Sequence, residues 1–228
     1  MRYKWLLFDA DNTLFDFTYS QKKALKQCLE HYGHIFNDEI FSNFTNLNNE
    51  IWTAYDRNEI SHEEIKTLRF KRLFDTLGIK GIDINEFNSK FIDMLVENSK
   101  LIENTDIYLE KLHRKINMAI ITNGMKEVQR PRFEKCKHKS KFEQIFISGE
   151  MGKSKPNKEY FEYVHKATGA LDKSQYLVVG DNIIADIKGA KDYGFDTCWF
   201  NPNRISDRNE KYADNVIQNI HELDKILF

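Results

Sequence analysis

The spacing of apolar residues changes character twice along the chain. Residues 3–8 (YKWLLF) form a short apolar run that stops at the turn-like Asp9-Ala10-Asp11-Asn12, which predicts a buried strand. From about residue 16 to residue 100 the period is helical. Phe87, Phe91, Met94 and Leu95 fall at i, i+4, i+7 and i+8, so that segment carries one apolar face. Ser61-His62-Glu63-Glu64 is a capping box, in which hydroxyl and carboxylate satisfy free amides at a helix start. Beyond residue 100, strand-like runs at 118–122, 144–148, 176–180 and 197–200 alternate with helical stretches. One of these, 157–168, opens on Pro156-Asn157 and closes at Gly169. Strands separated by helices predict parallel pairing through crossover connections. The pattern is therefore an α/β core formed by residues 1–15 and 101–228, with an all-helical segment, 16–100, inserted after the first strand.

Composition narrows the class without changing that picture. The chain has 228 residues, 41% hydrophobic and 13% aromatic, which is enough to build a core. Its 34 basic and 35 acidic residues nearly cancel, so net charge supplies no reason to expect nucleic acid or a membrane surface as partner. Cys28, Cys136 and Cys198 are scattered and odd in number, which argues against a disulfide framework and for a reducing compartment. The first apolar run is too short for a signal peptide or a spanning helix, so the cytoplasm is the expected location.

In open α/β sheets ligands bind beyond the carboxyl ends of the strands, so the residues following each strand carry the chemistry. Asp9 and Asp11, at i and i+2 after the first strand, can face one cleft and divide the labour of nucleophile and proton carrier. An acidic turn is the plainer reading of the same residues. Thr122-Asn123-Gly124 offers a hydroxyl and backbone amides suited to phosphate oxygens, or else an ordinary strand-to-helix turn. In Gly152-Lys153-Ser154-Lys155-Pro156, the proline pushes Lys155 toward an extended conformation at the rim of the cleft, with Lys153 as a competitor. Either lysine alone reads as a solvated loop residue. Asp181 after the fourth strand, followed by Asn182 and then Asp186, resembles a magnesium site; helix capping and a solvent-facing helix charge are the alternatives. Together, four successive strand ends carry what a phosphoryl-transfer site needs: a nucleophile, oxyanion donors, a cation and metal ligands.

The segments FDADNTLFDF (8–17), IITNG (120–124), GKSKPN (152–157) and GDNIIADIKGA (180–190) resemble, in order and spacing, the motifs of the haloacid dehalogenase superfamily of phosphatases. The resemblance covers essentially the whole chain and implies a Rossmann-like core with a helical cap. It implies that Asp9 forms an aspartyl-phosphate and that Asp11 protonates the leaving alcohol and then activates water. Thr122 and the Asn123 amide would hold phosphoryl oxygens, with Lys155 as charge clamp. Asp9, Asp181 and the backbone carbonyl of Asp11 would hold Mg2+, with Asp186 and Asn182 behind them, Asp186 orienting Lys155 or metal-bound water. The second acid, Asp11, disfavours the dehalogenase branch. A closer resemblance is to the pyrimidine 5′-nucleotidase members, carried by the start Trp5 to Asp11, by the segment 55–61 and by Ile220-His221-Glu222-Leu223. The stretch 130–141 departs from the family pattern, and Pro131 is expected to kink its helix.

The expected function is magnesium-dependent hydrolysis of nucleoside 5′-monophosphates, pyrimidine ones foremost, with a small-molecule phosphate monoester as partner. Sugar phosphates or phosphoglycolate are the enzymatic alternative. A non-catalytic sensor of a phosphorylated ligand and a phosphotransferase are the others, the former disfavoured by an intact set of acids and lysine. Trp52 and Tyr55, with Phe44, are candidates for stacking on a base, although aromatics at helical spacing more commonly build a core. The basic run at 130–141 reads as a solvated face, and His31 with His34 as a helix end at Gly33, without a third metal ligand.

Overall fold

The computed structural model describes residues 2–57 and 59–228. Met1, Asn58 and the side chain of Asp56 lie outside the described residues, the last two within the segment 55–61 singled out above. The elements in chain order are β1 (Trp5–Phe8), α1 (Phe17–His31), α2 (Asp38–Asp56), α3 (His62–Leu77), α4 (Ile84–Glu97), α5 (Thr105–Leu112), β2 (Asn117–Thr122), α6 (Lys126–Lys135), β3 (Gln144–Ile147), α7 (Ser148–Met151), α8 (Lys158–Ala167), β4 (Tyr176–Gly180), α9 (Gly189–Tyr193), β5 (Asp196–Phe200), β6 (Asn215–Ile217) and α10 (Asp224–Leu227). They form two compact units. One comprises Met1–Asp16, Leu101–Gln129 and Phe133–Phe228, the other Phe17–Lys100 and Arg130–Arg132.

The first unit is built on a six-stranded sheet in the order β3-β2-β1-β4-β5-β6, with every pair parallel. Alternation along the strands divides the core into two layers. Leu6, Phe8, Met118, Ile120, Leu177 and Val179 face one side, under Tyr108 and Leu109 of α5 and the C-terminal Leu223 and Leu227. Trp5, Leu7, Ala119, Ile121, Tyr176 and Val178 face the other, under Tyr160, Phe161 and Val164 of α8 and Tyr193 of α9. Burial on both faces explains why these strands read as unbroken apolar runs. The chain leaves β1 toward β2 and β3 and later returns to its other side for β4, β5 and β6. The strand order therefore reverses between β1 and β4, the kind of point beyond whose carboxyl ends open α/β sheets bind their ligands.

The second unit contains α1–α4. Its core is aromatic: Phe44, Phe70, Phe74, Phe87 and Phe91 contact one another with ring centroids 4.9–6.5 Å apart. Arg69 is buried there, donating to Asn88 Oδ1 at 2.8 Å and lying over the rings of Phe70 and Phe91. The Ser61 capping box starts α3, with Glu64 N–H donating to Ser61 Oγ at 3.3 Å and Ser61 N–H to Glu64 Oε2 at 2.7 Å.

Several local expectations differ in detail. β1 begins at Trp5 rather than residue 3, β5 begins at Asp196, and β6 was not foreseen. Pro156 precedes the α8 N-cap, Asn157, instead of standing in the first helical turn. The α6 helix runs through Pro131 as one element. Among the described residues no helix is long and apolar enough to cross a membrane.

Candidate active site

Backbone pairing brings the residues after β1, β2 and β4 to one end of the sheet. Asp9 N–H donates to the Val179 carbonyl at 2.9 Å, which continues the β1–β4 ladder by one residue and sets Asp9 beside Gly180. Lys155 arrives from the loop between α7 and α8. Sequence reasoning placed it at the rim; it is instead 2% exposed, with Nζ donating to Asp9 Oδ1 (2.7 Å), Asp186 Oδ1 (2.6 Å) and the Ile121 carbonyl (2.8 Å). Three acceptors satisfy the three ammonium protons, and only an inward course allows that. Lys153, the competitor, is exposed.

The Asn123 side chain fixes that course. Its Oδ1 accepts the Lys155 N–H at 2.9 Å and its Nδ2 donates to the Lys155 carbonyl at 2.8 Å, a two-point clamp on the backbone of one residue. Thr122 is buried, and its hydroxyl oxygen accepts the Gly124 N–H at 3.0 Å.

Asp186 is 1% exposed, so a solvent-facing helix charge does not describe it. Its Oδ2 accepts the Asn182 N–H at 3.0 Å while Oδ1 takes Lys155. It lies on a π-helical turn, Ile183–Lys188, a geometry that recurs at functional sites. A Cβ on Gly180 would lie 2.3 Å from Asp186 Oδ2, so glycine is required for that carboxylate to cross the end of β4. Asn182 is the helix cap: its Oδ1 accepts from Ile184 N–H and Ala185 N–H at 3.0 and 2.9 Å. Trp199 of β5 holds the loop by donating from Nε1 to the Asp181 carbonyl at 2.8 Å.

Carboxylate oxygens of Asp9, Asp181 and Asp186 all lie within 4.8 Å of one another. Burial pushes the Asp9 carboxyl up to about 7; Lys155 opposes this, and the charges of Asp186 and Asp11 reinforce it. Burial, then the charges of Asp9 and Asp186, raise Asp181 well above the usual carboxylate range. Burial works against the Lys155 ammonium, yet Asp186 and Asp9 outweigh it and hold the group charged. One ammonium thus stands against three carboxylates, those of Asp9 and Asp186 buried and that of Asp181 half-buried, a charge imbalance that a small divalent cation would correct. The donors are hard oxygens, the kind magnesium takes. Both oxygens of Asp186 are already engaged, so Asp9 and Asp181 are the carboxylates of this cluster suited to ligation. The Asp11 side chain is not part of the cluster; its Oδ2 accepts from Gln129 Nε2 at 2.7 Å.

Gln129, the Ile121 carbonyl and Trp199 were missed by sequence reasoning. No local signal marks them, because each acts across a tertiary contact. Trp52 and Tyr55 lie on α2 of the helical unit, where their rings meet at 5.6 Å and each packs on His62. Phe44 is fully buried in the aromatic core of that unit.

Residues 6–200 match the haloacid dehalogenase-like hydrolase family. The chain is 30% identical to the HAD-hydrolase YfnB of Bacillus subtilis over 226 residues, 99% of this chain and 96% of that protein. A crystal structure of YfnB bound to magnesium superposes with a TM-score of 0.92, covering 100% of this chain and 99% of that one. The pyrimidine 5′-nucleotidase YjjG of Escherichia coli is 29% identical over 227 residues, 100% of this chain and 99% of that protein. The pyrimidine 5′-nucleotidase PynA of Streptococcus pneumoniae is 28% identical, covering 92% of this chain and 89% of that protein. A full-length match on a sheet of this order, with the motif residues gathered at its carboxyl end, establishes that the chain belongs to the haloacid dehalogenase-like hydrolases.

Proposed function

We propose that the chain is a magnesium-dependent phosphomonoesterase that hydrolyses nucleoside 5′-monophosphates, pyrimidine ones foremost. The observation that carries the chemistry is the buried Lys155 ammonium, bonded at once to Asp9 and Asp186 beside Asp181. The substrate class is supported by the full-length similarity to two pyrimidine 5′-nucleotidases.

In this reading a carboxylate oxygen of Asp9 attacks phosphorus as the bond to the leaving oxygen breaks, giving an aspartyl-phosphate. Asp11 supplies the proton that the leaving oxygen takes. Asp11, now a carboxylate, removes a proton from water as that water attacks the same phosphorus. Phosphate departs and Asp9 is restored. Lys155 stays protonated throughout and offsets charge on Asp9 and on the phosphoryl oxygens, while Asp186 keeps its ammonium aimed. Thr122 and the Asn123 amide hold phosphoryl oxygens. Asp9, Asp181 and the Asp11 carbonyl are the groups that would hold Mg2+, which when bound neutralises charge on both carboxylates and phosphate. The choice of leaving group is assigned to the helical unit acting as a cap, with Trp52 and Tyr55 as proposed base contacts.

The test is phosphate release from a panel of nucleotides and sugar phosphates, with and without magnesium, beside Asp9→Asn. Fastest release from UMP or dTMP, abolished in the variant and by chelation, is the expected result. Equal rates on sugar phosphates would discard the nucleotidase assignment and keep the mechanism. Undiminished activity in Asp9→Asn would overturn the mechanism itself.

A further inference from the structure

We infer that Gln129 is a positioning residue for Asp11, one that places the acid's proton on a chosen oxygen and favours its release. This rests on reading Asp11 as the proton donor. Gln129 is 1% exposed and stands in the first turn of α6, where its N–H bonds the Met125 carbonyl at 2.9 Å. Its Nε2 donates to Asp11 Oδ2 at 2.7 Å, across 118 positions of sequence. Asp11 is itself held in a tight turn: Leu14 and Phe15 N–H both donate to the Ala10 carbonyl, and Asn12 N–H to the Phe15 carbonyl at 2.7 Å. Both partners therefore start from braced backbone. Gly124 makes room for them. A Cβ there would lie 2.1 Å from Gln129 Nε2 and 3.0 Å from Asp11 Oδ2, so the glycine of Thr122-Asn123-Gly124 serves the Gln129–Asp11 pair.

The chemistry follows from the amide. Its N–H is a donor only, so Oδ2 must accept whether Asp11 is neutral or charged. A neutral Asp11 thus carries its single proton on Oδ1, the oxygen that Gln129 does not hold. When the phosphorus–oxygen bond breaks, its electron pair goes to the leaving oxygen, which takes the proton from Oδ1. Asp11 becomes a carboxylate, and the bond from Gln129 becomes charge-assisted and stronger. An interaction that strengthens as the proton leaves lowers the barrier rather than improving substrate binding. The amide neither gains nor loses a proton in the cycle.

The consequence is a dependence on the leaving group. A leaving oxygen that is already a weak base needs little help from an acid, whereas an alkoxide needs it fully. The experiment compares wild type, Gln129→Met, Gln129→His and Asp11→Asn on phosphate esters from p-nitrophenyl phosphate through phenyl phosphate to an alkyl phosphate, with magnesium present. Gln129→Met should lose roughly 10- to 100-fold in kcat on the alkyl ester with KM unchanged, and less than about threefold on p-nitrophenyl phosphate. Gln129→His, which keeps a ring N–H donor, should recover part of that loss. Uniform loss along the series, or none, overturns the inference. Should Gln129→Met not fold by thermal unfolding, Gly124→Ala displaces the same pair without altering either member and is read on the same series. Asp11→Asn separates the two levels. If it too loses activity uniformly, Asp11 is not the proton donor and both readings fall. If it shows the steep dependence and Gln129→Met does not, only the role of Gln129 falls. A wild type inactive on the whole series would sink the phosphatase reading and this inference with it.

Discussion

At the residue scale, the site depends on one cation distributed over more anionic charge than it can neutralise. Lys155 is bonded to two buried carboxylates, so removing its ammonium strands both. Lys155→Met should abolish turnover and, without magnesium at pH 8, lower the unfolding free energy by about 3–5 kcal/mol in urea titration. Lys155→Arg should not restore activity, because a planar guanidinium cannot reproduce three bonds converging on one nitrogen. The motif residues Asp9, Asp11 and Asp181 could be read from the sequence because each follows a strand end, and Lys155 because it stands before a proline in the segment joining β3 to α8. The depth of Lys155 was not. A lysine two residues from another reads as a loop cation, and its burial depends on the Asn123 clamp from 32 positions away.

At the element scale, short-range rules were reliable wherever a local signal existed. The Ser61 box formed as its spacing predicts, and Ser61→Ala should cost about 1 kcal/mol in thermal or chemical unfolding, without changing kcat. β4 was legible end to end, since Tyr176-Leu177-Val178-Val179 is buried on both faces and bounded by glycine. β6 is three residues long and carries no alternation, and so left no pattern to find. The π-helical turn was equally silent, because one extra residue in a turn does not alter an apolar period over so short a span. Its effect is nevertheless specific: Ile187 N–H reaches back to the Asn182 carbonyl at 3.3 Å, and the Asp186 carboxylate passes over Gly180. Gly180→Ala should therefore displace Asp186, reduce phosphate release at least as severely as Asp186→Ala, and destabilise the fold by about 1–3 kcal/mol. A Gly180→Ala protein with wild-type kinetics would show that the Asp186 position is unimportant.

At the scale of the whole molecule, the proposed magnesium site would link stability to metal and to pH. The folded-state value of Asp9 lies near 7, above its ordinary value of 3.8. A raised carboxyl favours the folded state most at low pH, and that contribution is lost as pH climbs through about 7. A cation competes for the same oxygens, so magnesium should bind weakly at pH 5.5 and progressively better up to pH 8, releasing protons as it binds. The rise in thermal midpoint on adding magnesium should follow the same course, reaching about 2.7 kcal/mol of stabilisation when the ion is at a hundred times its dissociation constant. A rise independent of pH would mean that Asp9 is not a ligand. The strand order carries a further consequence, for synthesis on the ribosome. β1 is the earliest strand made, yet it pairs with β2 on one side and β4 on the other, and Trp5 must wait for Tyr176. At ordinary translation speeds that wait lasts roughly 10 to 30 seconds. Throughout it the side of Trp5–Phe8 that takes β4 has no partner, so chaperones that bind apolar segments have a target there while the later strands are made.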